Sequence, residues 1–211
     1  MTARGARARF AVGVMAIAAV LAGCAQRPAP DARTAAGAPP HRTVPPVVSR
    51  VPTHDRVVFL AYEDGAGARL VDLVRERRLP LSLFAAGRGE GRLRELRALG
   101  VQVQNRTLTR PFLPGLGYVE QHAEICGQRD RIEGRFGTAP RLFHPPSGAY
   151  DGNTLRAAAA CGVDAVVLWR EPDGAPLHPG DIIGAHPATT RQLLHRIESE
   201  GYTVAPLENY L

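Results

Sequence analysis

Two adjacent carboxylates, Glu63 and Asp64, directly follow the apolar run 57–62. Two arginines, Arg106 and Arg110, follow a later predicted strand. Carboxylates that lie together in a partly closed pocket repel each other, and guanidinium groups can form charge-assisted, bidentate hydrogen bonds to them. We therefore expect Arg106 and Arg110 to form salt bridges with Glu63 and Asp64 at the floor of a pocket. An anionic ligand is the alternative partner for the two arginines.

Two histidines and a serine are further candidates for chemistry. His144 and Ser147 lie in the segment 143–150, and His186 follows the apolar segment 182–185. A serine nucleophile activated by His144 is one hypothesis. It is opposed by the position of Ser147 in a loop without a strand-turn-helix elbow. His186 is either a catalytic group or a hydrogen-bonded histidine at a strand end.

Two aromatic residues are candidates for contact with sugar rings. Trp169 follows the predicted strand 163–168, and Tyr150 lies in the loop that also contains Ser147. Packing in the core or at its rim is the alternative role for both rings.

Strands and helices alternate along most of the chain. Short apolar runs rich in β-formers predict strands, and apolar stripes that end at a glycine predict helices. The predicted strands are 57–62, 81–85, 101–104, 163–168 and 202–205, with shorter ones near 143 and 182, and the predicted helices are 69–78, 92–99, 119–136, 153–161 and 191–200. This order is typical of parallel strands, and it favours an α/β fold of the distorted (β/α) barrel type. In such barrels the chemistry lies at the C-terminal ends of the strands.

The segments at these strand ends resemble, in order and spacing, the motifs of the polysaccharide deacetylases (NodB homology domain, carbohydrate esterase family 4). The matching segments are Ala61-Tyr62-Glu63-Asp64-Gly65, Asn105-Arg106-Thr107-Leu108-Thr109-Arg110, Phe143-His144-Pro145-Pro146-Ser147-Gly148, Trp169, and the stretch from Gly180 to His186. The resemblance covers 57–211. It implies a distorted barrel that removes acetyl groups from chitin, peptidoglycan or related glycans.

The resemblance also assigns a role to each position. It places Glu63 as general base, Asp64 as metal ligand and His186 as general acid. Where the family motif has two metal-binding histidines, this chain has Arg106 and Arg110. His144 stands where an arginine orients the base, and Ser147 stands where a tyrosine lies beside the oxyanion site.

Arginine cannot bind a metal ion, because its guanidinium has no free lone pair and does not deprotonate in proteins. Zinc needs three or four protein ligands, so the divalent metal of the family, usually zinc, is predicted to be lost and no cofactor is expected. One hypothesis is a metal-free pseudoenzyme that binds a cell-wall glycan or a wall-associated partner. The other is an active hydrolase of acylated carbohydrate that uses Glu63, His144 and His186.

The first 53 residues predict export and anchoring. Arg4, Arg7 and Arg9 precede an apolar stretch of about a dozen residues, which is the pattern of a signal peptide. The stretch ends in Leu21-Ala22-Gly23-Cys24, which resembles a lipobox. We therefore predict a signal peptide over 1–23, a Pro-rich mobile linker over 24–53 with a lipid on Cys24, and a deacetylase-like domain over 54–211. The predicted location is extracytoplasmic, at the cell membrane.

Composition narrows the remaining choices. All 26 basic residues are arginines, the formal net charge is +6, and 45% of the residues are hydrophobic. The arginines are scattered among acidic residues, so no nucleic-acid partner is expected. We expect a monomer. Cys126 and Cys161 form a disulfide or remain as two buried thiols, and the spacing does not choose between them.

Overall fold

The structure is a computed structural model that describes residues 43–63, 67–86 and 90–211. The predicted signal peptide, Cys24 and most of the predicted linker lie outside the described residues, as does Asp64. No helix in the described part of the chain is both long enough and apolar enough to cross a membrane.

The described residues alternate between strands and helices, as predicted. The strands are β1 (Val47–Val48), β2 (Val57–Glu63), β3 (Ser82–Ala85), β4 (Gln102–Asn105), β5 (Leu142–Phe143), β6 (Ala165–Val167), β7 (Ile182–Gly184) and β8 (Thr203–Val204). The helices are α1 (Ala68–Arg77), α2 (Glu90–Ala98), α3 (Tyr118–Phe136), α4 (Gly152–Ala160) and α5 (Thr190–Ser199). Every predicted element that falls in the described ranges is present, with ends that differ by one or two residues.

All strand pairs in the sheet are parallel, in the order β1-β6-β5-β4-β3-β2-β7, and β8 also pairs with β2. Isolated bridges join Arg170 to Ile183 and Arg50 to Asp181, so they connect the β6 side of the order to β7. The sheet is therefore curled, and the predicted distorted (β/α) barrel is confirmed.

Residues of the central strand alternate between two apolar layers. Val58, Leu60 and Tyr62 pack with the apolar residues of α1, α2 and α5. Phe59 and Ala61 point to the other face, where they pack in a second apolar cluster that we call the inner cluster. This two-residue period follows from strand geometry, in which successive side chains point to opposite faces.

The N-terminal boundary of the folded domain differs from the prediction. Val47 and Val48 pair with Val166 and Val167, and the N–H of Val51 donates to the carbonyl of Gly180 at 2.9 Å. A Cβ at Gly180 would lie 1.9 Å from the carbonyl oxygen of Val51, so the chain can approach only because this residue is glycine. The prediction of a linker that reaches residue 53 is therefore wrong for its last residues, which form a short edge strand. Prolines that flank an edge strand do not prevent it from pairing.

Helices α3 and α4 are joined covalently. Cys126 of α3 and Cys161 at the C-terminal end of α4 form a disulfide, with 5.0 Å between their Cα atoms. Nε2 of His122, one turn before Cys126, lies 3.3 Å from its sulfur. The two cysteines are thus paired and are not free thiols.

Candidate active site

The candidate site residues follow the strands at positions that continue the inner face of the sheet. Ala61, Leu142, Val167 and Ile182 are members of the inner cluster. The residues two positions later along these strands are Glu63, His144, Trp169 and Gly184. Because the side-chain period of a strand is two, all four positions continue the inner face at the C-terminal edge of the sheet. We call this edge, at which Glu63, His144, Trp169 and Gly184 lie, the mouth of the sheet. The positions of these residues along their strands bring them together there.

A salt bridge joins two of the predicted site residues. Nη2 of Arg106 lies 2.6 Å from Oε1 of Glu63, with the arginine side chain 8% exposed and the glutamate side chain 41% exposed. The backbone N–H of Arg106 donates to the carbonyl of Ala85, which fixes the start of this segment beside β3. The guanidinium thus neutralises the carboxylate that the sequence predicts as general base.

Arg110 does not join this pair. Its side chain is exposed, and no carboxylate in the described parts of the chain forms a salt bridge with it. Of the predicted salt bridges, the one between Arg106 and Glu63 is present, whereas any salt bridge to Asp64 lies outside the described residues and stays a prediction.

The loop from Thr107 to Arg110 is held in a demanding conformation. Thr107 and Arg110 have φ values of 69° and 62°, which cost non-glycine residues on the order of 1 kcal/mol each. The Glu124 carboxylate accepts hydrogen bonds from the N–H groups of Leu108 and Thr109 and from the Thr109 hydroxyl. Hydrogen bonds to one α3 carboxylate thus stabilise the strained conformation of this loop.

His144 and Trp169 form a stacked pair beneath the mouth. Their ring centroids are 3.4 Å apart with planes 16° from parallel, and the His144 Nδ1–H donates to the Val167 carbonyl at 2.8 Å. Burial, with a smaller contribution from the nearby Arg106 charge, lowers the pKa of His144 to about 3, although the Val167 hydrogen bond opposes this shift. The ring is therefore neutral at physiological pH and cannot replace the charge of an arginine that orients the base.

An exposed acid–imidazole pair follows strands β6 and β7. Nε2 of His186 lies 3.3 Å from Oε2 of Glu171, and the two side chains are 62% and 65% exposed. Glu171 was not predicted as a site residue. The only signal for it in the sequence is its position two residues after Trp169.

Gly184 shapes the site without contributing a side chain. A Cβ at this position would lie 2.6 Å from Cδ1 and 2.7 Å from Nε1 of Trp169, so the indole packs directly against the β7 backbone. A glycine inside a strand is a sequence signal for close approach of another group, and it was missed.

Ser147 does not meet the histidine proposed to activate it. It is exposed in the short 3₁₀ turn Pro146–Gly148 with a φ of 57°. The Nδ1 of His144 is occupied by the Val167 carbonyl, and in the described part of the chain no hydrogen bond joins Ser147 to His144. The arrangement offers no support for a serine nucleophile. Tyr150, in the same loop, is 38% exposed.

The side chains at the mouth do not fit a divalent metal ion. Where the family motif has metal-binding histidines, Arg106 directs a fixed positive charge at Glu63 and Arg110 offers no lone pair. Among the described residues, one group of three metal-ligating side chains is close enough to hold an ion, namely His122, Cys126 and Cys161. It lies on α3 and α4, and its two sulfurs are bonded to each other.

This chain is similar to a known protein family and to a bacterial protein. The family model for polysaccharide deacetylase matches residues 50–166. An uncharacterized protein of Streptomyces coelicolor is 47% identical over 196 residues, which cover 81% of this chain and 79% of that protein.

Two solved structures illustrate the fold. A family 4 carbohydrate esterase pseudoenzyme of Bacillus anthracis, BA3943, superposes with a TM-score of 0.69 over 80% of this chain and 69% of that chain, at 21% identity. A family 4 carbohydrate esterase from Streptomyces lividans, solved in complex with acetate, gives a TM-score of 0.58 over 68% of this chain and 86% of that chain, at 26% identity. The curled parallel sheet of this chain is thus the one that these esterases share.

Proposed function

The chain belongs to the polysaccharide deacetylase family, and from this membership we propose that it is a catalytically impaired member that binds cell-wall glycan without a divalent metal at the family site. The family relatives act on carbohydrate by name, and the mouth of this chain presents an exposed histidine and a partly exposed tryptophan ring. On this proposal the chain still binds glycan at the mouth but has lost the residues that carry out hydrolysis in the family.

The observation that carries the proposal is the 2.6 Å salt bridge between Arg106 and Glu63. By the family resemblance, Arg106 stands at a metal-ligand position and Glu63 at the base position. A metal at such a site polarises the acetyl carbonyl and lowers the pKa of the attacking water. The guanidinium supplies neither a lone pair nor a bound water, and it keeps the carboxylate engaged.

Two further features support impairment. The buried His144 is neutral, since its pKa is lowered to about 3, so it offers no cation to orient Glu63. The fold is also similar to that of a pseudoenzyme from Bacillus anthracis, which is consistent with loss of activity on this scaffold.

Acetate release tests the proposal directly. The purified chain is incubated with acetylated chito-oligosaccharides and with peptidoglycan, with and without added zinc or a chelator. We expect no acetate above the level of the Glu63→Gln variant and no zinc binding by calorimetry. Zinc-dependent acetate release that is lost in Glu63→Gln would overturn the proposal. A glycan pulldown that compares the Trp169→Ala variant with the wild-type chain tests the proposed binding of cell-wall glycan.

An active hydrolase of acylated carbohydrate is the second candidate. It is favoured by the His186–Glu171 pair, whose exposed imidazole is 3.3 Å from a carboxylate and can exchange protons with a bound substrate. In this case Glu63 serves as base and His186 as acid, and His144 contributes only as a neutral hydrogen-bonding ring. Chelator-insensitive acetate release that falls in both Glu63→Gln and His186→Asn would establish it in place of the first candidate.

The location of the protein is part of the proposal. A lipid on Cys24 would anchor the chain at the outer surface of the cell membrane, within reach of the wall, and the fold would act there as a monomer. Metabolic labelling with a fatty acid and membrane fractionation, in the wild-type chain and in Cys24→Ala, test this. Equal labelling of both proteins would contradict it.

A further inference from the structure

An exposed cation and two exposed aromatic rings lie on the loops that follow β4 and β5. Arg110 and Phe112 belong to the loop after β4, and Phe112 is 64% exposed. Tyr150 belongs to the loop after β5 and is 38% exposed. Since β4 and β5 pair in parallel, both loops leave the sheet at the same edge as the candidate site.

The two loops are fixed relative to each other by one buried side chain. Nε2 of Gln121, a residue of α3 that is fully buried, donates to the carbonyl of Leu116 at 3.0 Å and to Oδ1 of Asp151 at 3.1 Å. Leu116 ends the segment that bears Phe112, and Asp151 directly follows Tyr150. The fully buried Leu113 anchors the first loop beside its exposed neighbour. The rings are therefore presented on an ordered surface.

The guanidinium of Arg110 is available to a ligand. The side chain is exposed and forms no salt bridge with any carboxylate in residues 43–63, 67–86 and 90–211. The preceding loop residues Leu108 and Thr109 are held in place because their N–H groups donate to the Glu124 carboxylate. By contrast, the exposed ring of Tyr118 is already covered by the guanidinium of Arg156, at 5.2 Å.

We infer that Arg110, Phe112 and Tyr150 form a recognition surface for a carboxylated sugar in the bound glycan. This inference rests on the proposed function and names the class of its ligand. An aromatic face packs against the C–H face of a pyranose ring, and a guanidinium binds a carboxylate in a planar, two-point contact. A sugar acid carries both features on one ring, whereas a polyol phosphate chain carries the charge without the ring.

Calorimetry with three probes tests the inference on the purified chain. The probes are a galacturonate oligomer, a neutral chitin oligomer of similar length and poly(glycerol phosphate), at about 50 mM and about 500 mM salt. We expect the galacturonate oligomer to bind tightest and to lose affinity at high salt.

Variants assign the effect to this surface. Arg110→Gln is expected to weaken galacturonate binding about tenfold and to leave chitin-oligomer binding unchanged, because one charge-assisted contact is removed. Phe112→Ala is expected to weaken the binding of both the galacturonate oligomer and the chitin oligomer. Arg131→Gln, which removes an exposed arginine of α3, is the matched control and is expected to change neither.

Three other outcomes would overturn the inference in whole or in part. Equal binding of the acidic and neutral oligomers, with no effect of Arg110→Gln, overturns the inference and leaves the proposed function standing. Poly(glycerol phosphate) binding as tight as galacturonate, unaffected by Phe112→Ala, overturns the sugar-acid assignment. Failure of all three probes to bind overturns both the inference and the glycan-binding function.

Discussion

The indole of Trp169 lies parallel to the imidazole of His144, with 3.4 Å between the ring centroids. Phe84 packs against both rings, at 5.3 Å from Trp169 and 5.9 Å from His144. The indole also packs closely against the backbone at Gly184. The position of the one tryptophan in the chain is thus determined by three different strands, and its fluorescence reports on the site.

Substitution of Gly184 by alanine is expected to displace this ring. The new Cβ would lie 2.6 Å from Cδ1 of Trp169, so the indole must move away from β7 and lose its stack on His144. We expect the emission maximum of Trp169 to shift to longer wavelength as the ring becomes more exposed. Gly134→Ala in α3 is the control, because nothing lies within 4 Å of its added Cβ, and it should leave the spectrum unchanged. An unaltered spectrum in Gly184→Ala would refute this packing.

Stability is expected to depend on pH through His144. Burial lowers its pKa from 6.5 to about 3, so between these values the unfolded chain binds more protons than the folded chain. The free energy of unfolding therefore rises with pH across this window, by on the order of 1 kcal/mol per pH unit, and the contribution is lost as the pH falls towards 3.

Urea unfolding at several pH values, in the wild-type chain and in His144→Asn, measures this effect. The asparagine amide does not titrate and can still donate to the Val167 carbonyl. We expect a shallower pH dependence in the variant than in the wild-type chain, since the carboxylates common to both contribute equally. His144→Phe, which retains a ring beside Trp169, provides a second comparison. Identical slopes in all three proteins would count against a neutral buried imidazole.

Histidines at the two arginine positions are expected to create a zinc site. In Arg106→His/Arg110→His, two imidazoles join the family ligand position at Asp64, which reaches the three protein ligands that zinc needs. Calorimetry should show stoichiometric zinc binding in this variant and none in the wild-type chain. The control Arg106→His/Arg131→His adds the same number of histidines with only one at the site, and equal binding by it would show that these positions do not form the metal site.

Asp181 is expected to hold the N-terminal edge strand in the domain. This carboxylate is 2% exposed and accepts hydrogen bonds from Arg50 at 2.9 Å, from Arg170 at 2.9 Å and from the N–H of His178 at 3.0 Å. Asp181→Asn should lower the free energy of unfolding by about 2 kcal/mol, because the amide that replaces the buried carboxylate loses the charge-assisted hydrogen bonds from the partly exposed Arg50 and Arg170.

Chemical denaturation and limited proteolysis at Arg50 measure this loss. Asp173→Asn is the control, since that carboxylate also pairs with Arg170 but is 60% exposed, and it should cost little. If Asp181→Asn unfolds like the wild-type chain, the edge strand is held by its backbone pairing alone.

The disulfide is expected to contribute strongly to stability. It closes a loop between residues 35 positions apart, and by the chain-entropy argument this corresponds to about 3–4 kcal/mol. Cys126→Ala/Cys161→Ala should therefore melt well below the oxidised wild-type chain. Reduction of the wild-type chain should give a similar decrease, and no decrease in either experiment would refute the contribution.

Much of the site can be predicted from the order of residues along the chain. Glu63, His144 and Trp169 each follow a buried strand at an even offset from an inner residue, and strand periodicity then brings them to one mouth. Cys126 and Cys161 show where this reasoning stops. Their spacing is compatible with a bond, but only the packing of α3 on α4 brings their Cα atoms within 5.0 Å.

The sequence by itself determined that Arg106 and Arg110, and not imidazole groups, occupy these two positions. The donors and the charge of a side chain do not depend on folding. Which of those arginines meets Glu63 was decided only by the tertiary structure. Arg106 continues β4 and its guanidinium reaches Glu63 at the end of β2, whereas Arg110 follows a left-handed turn at Thr107 in a loop that is held by Glu124 of α3. Contacts between residues far apart in sequence select loop conformations that local propensity disfavours, and local patterns do not encode such contacts.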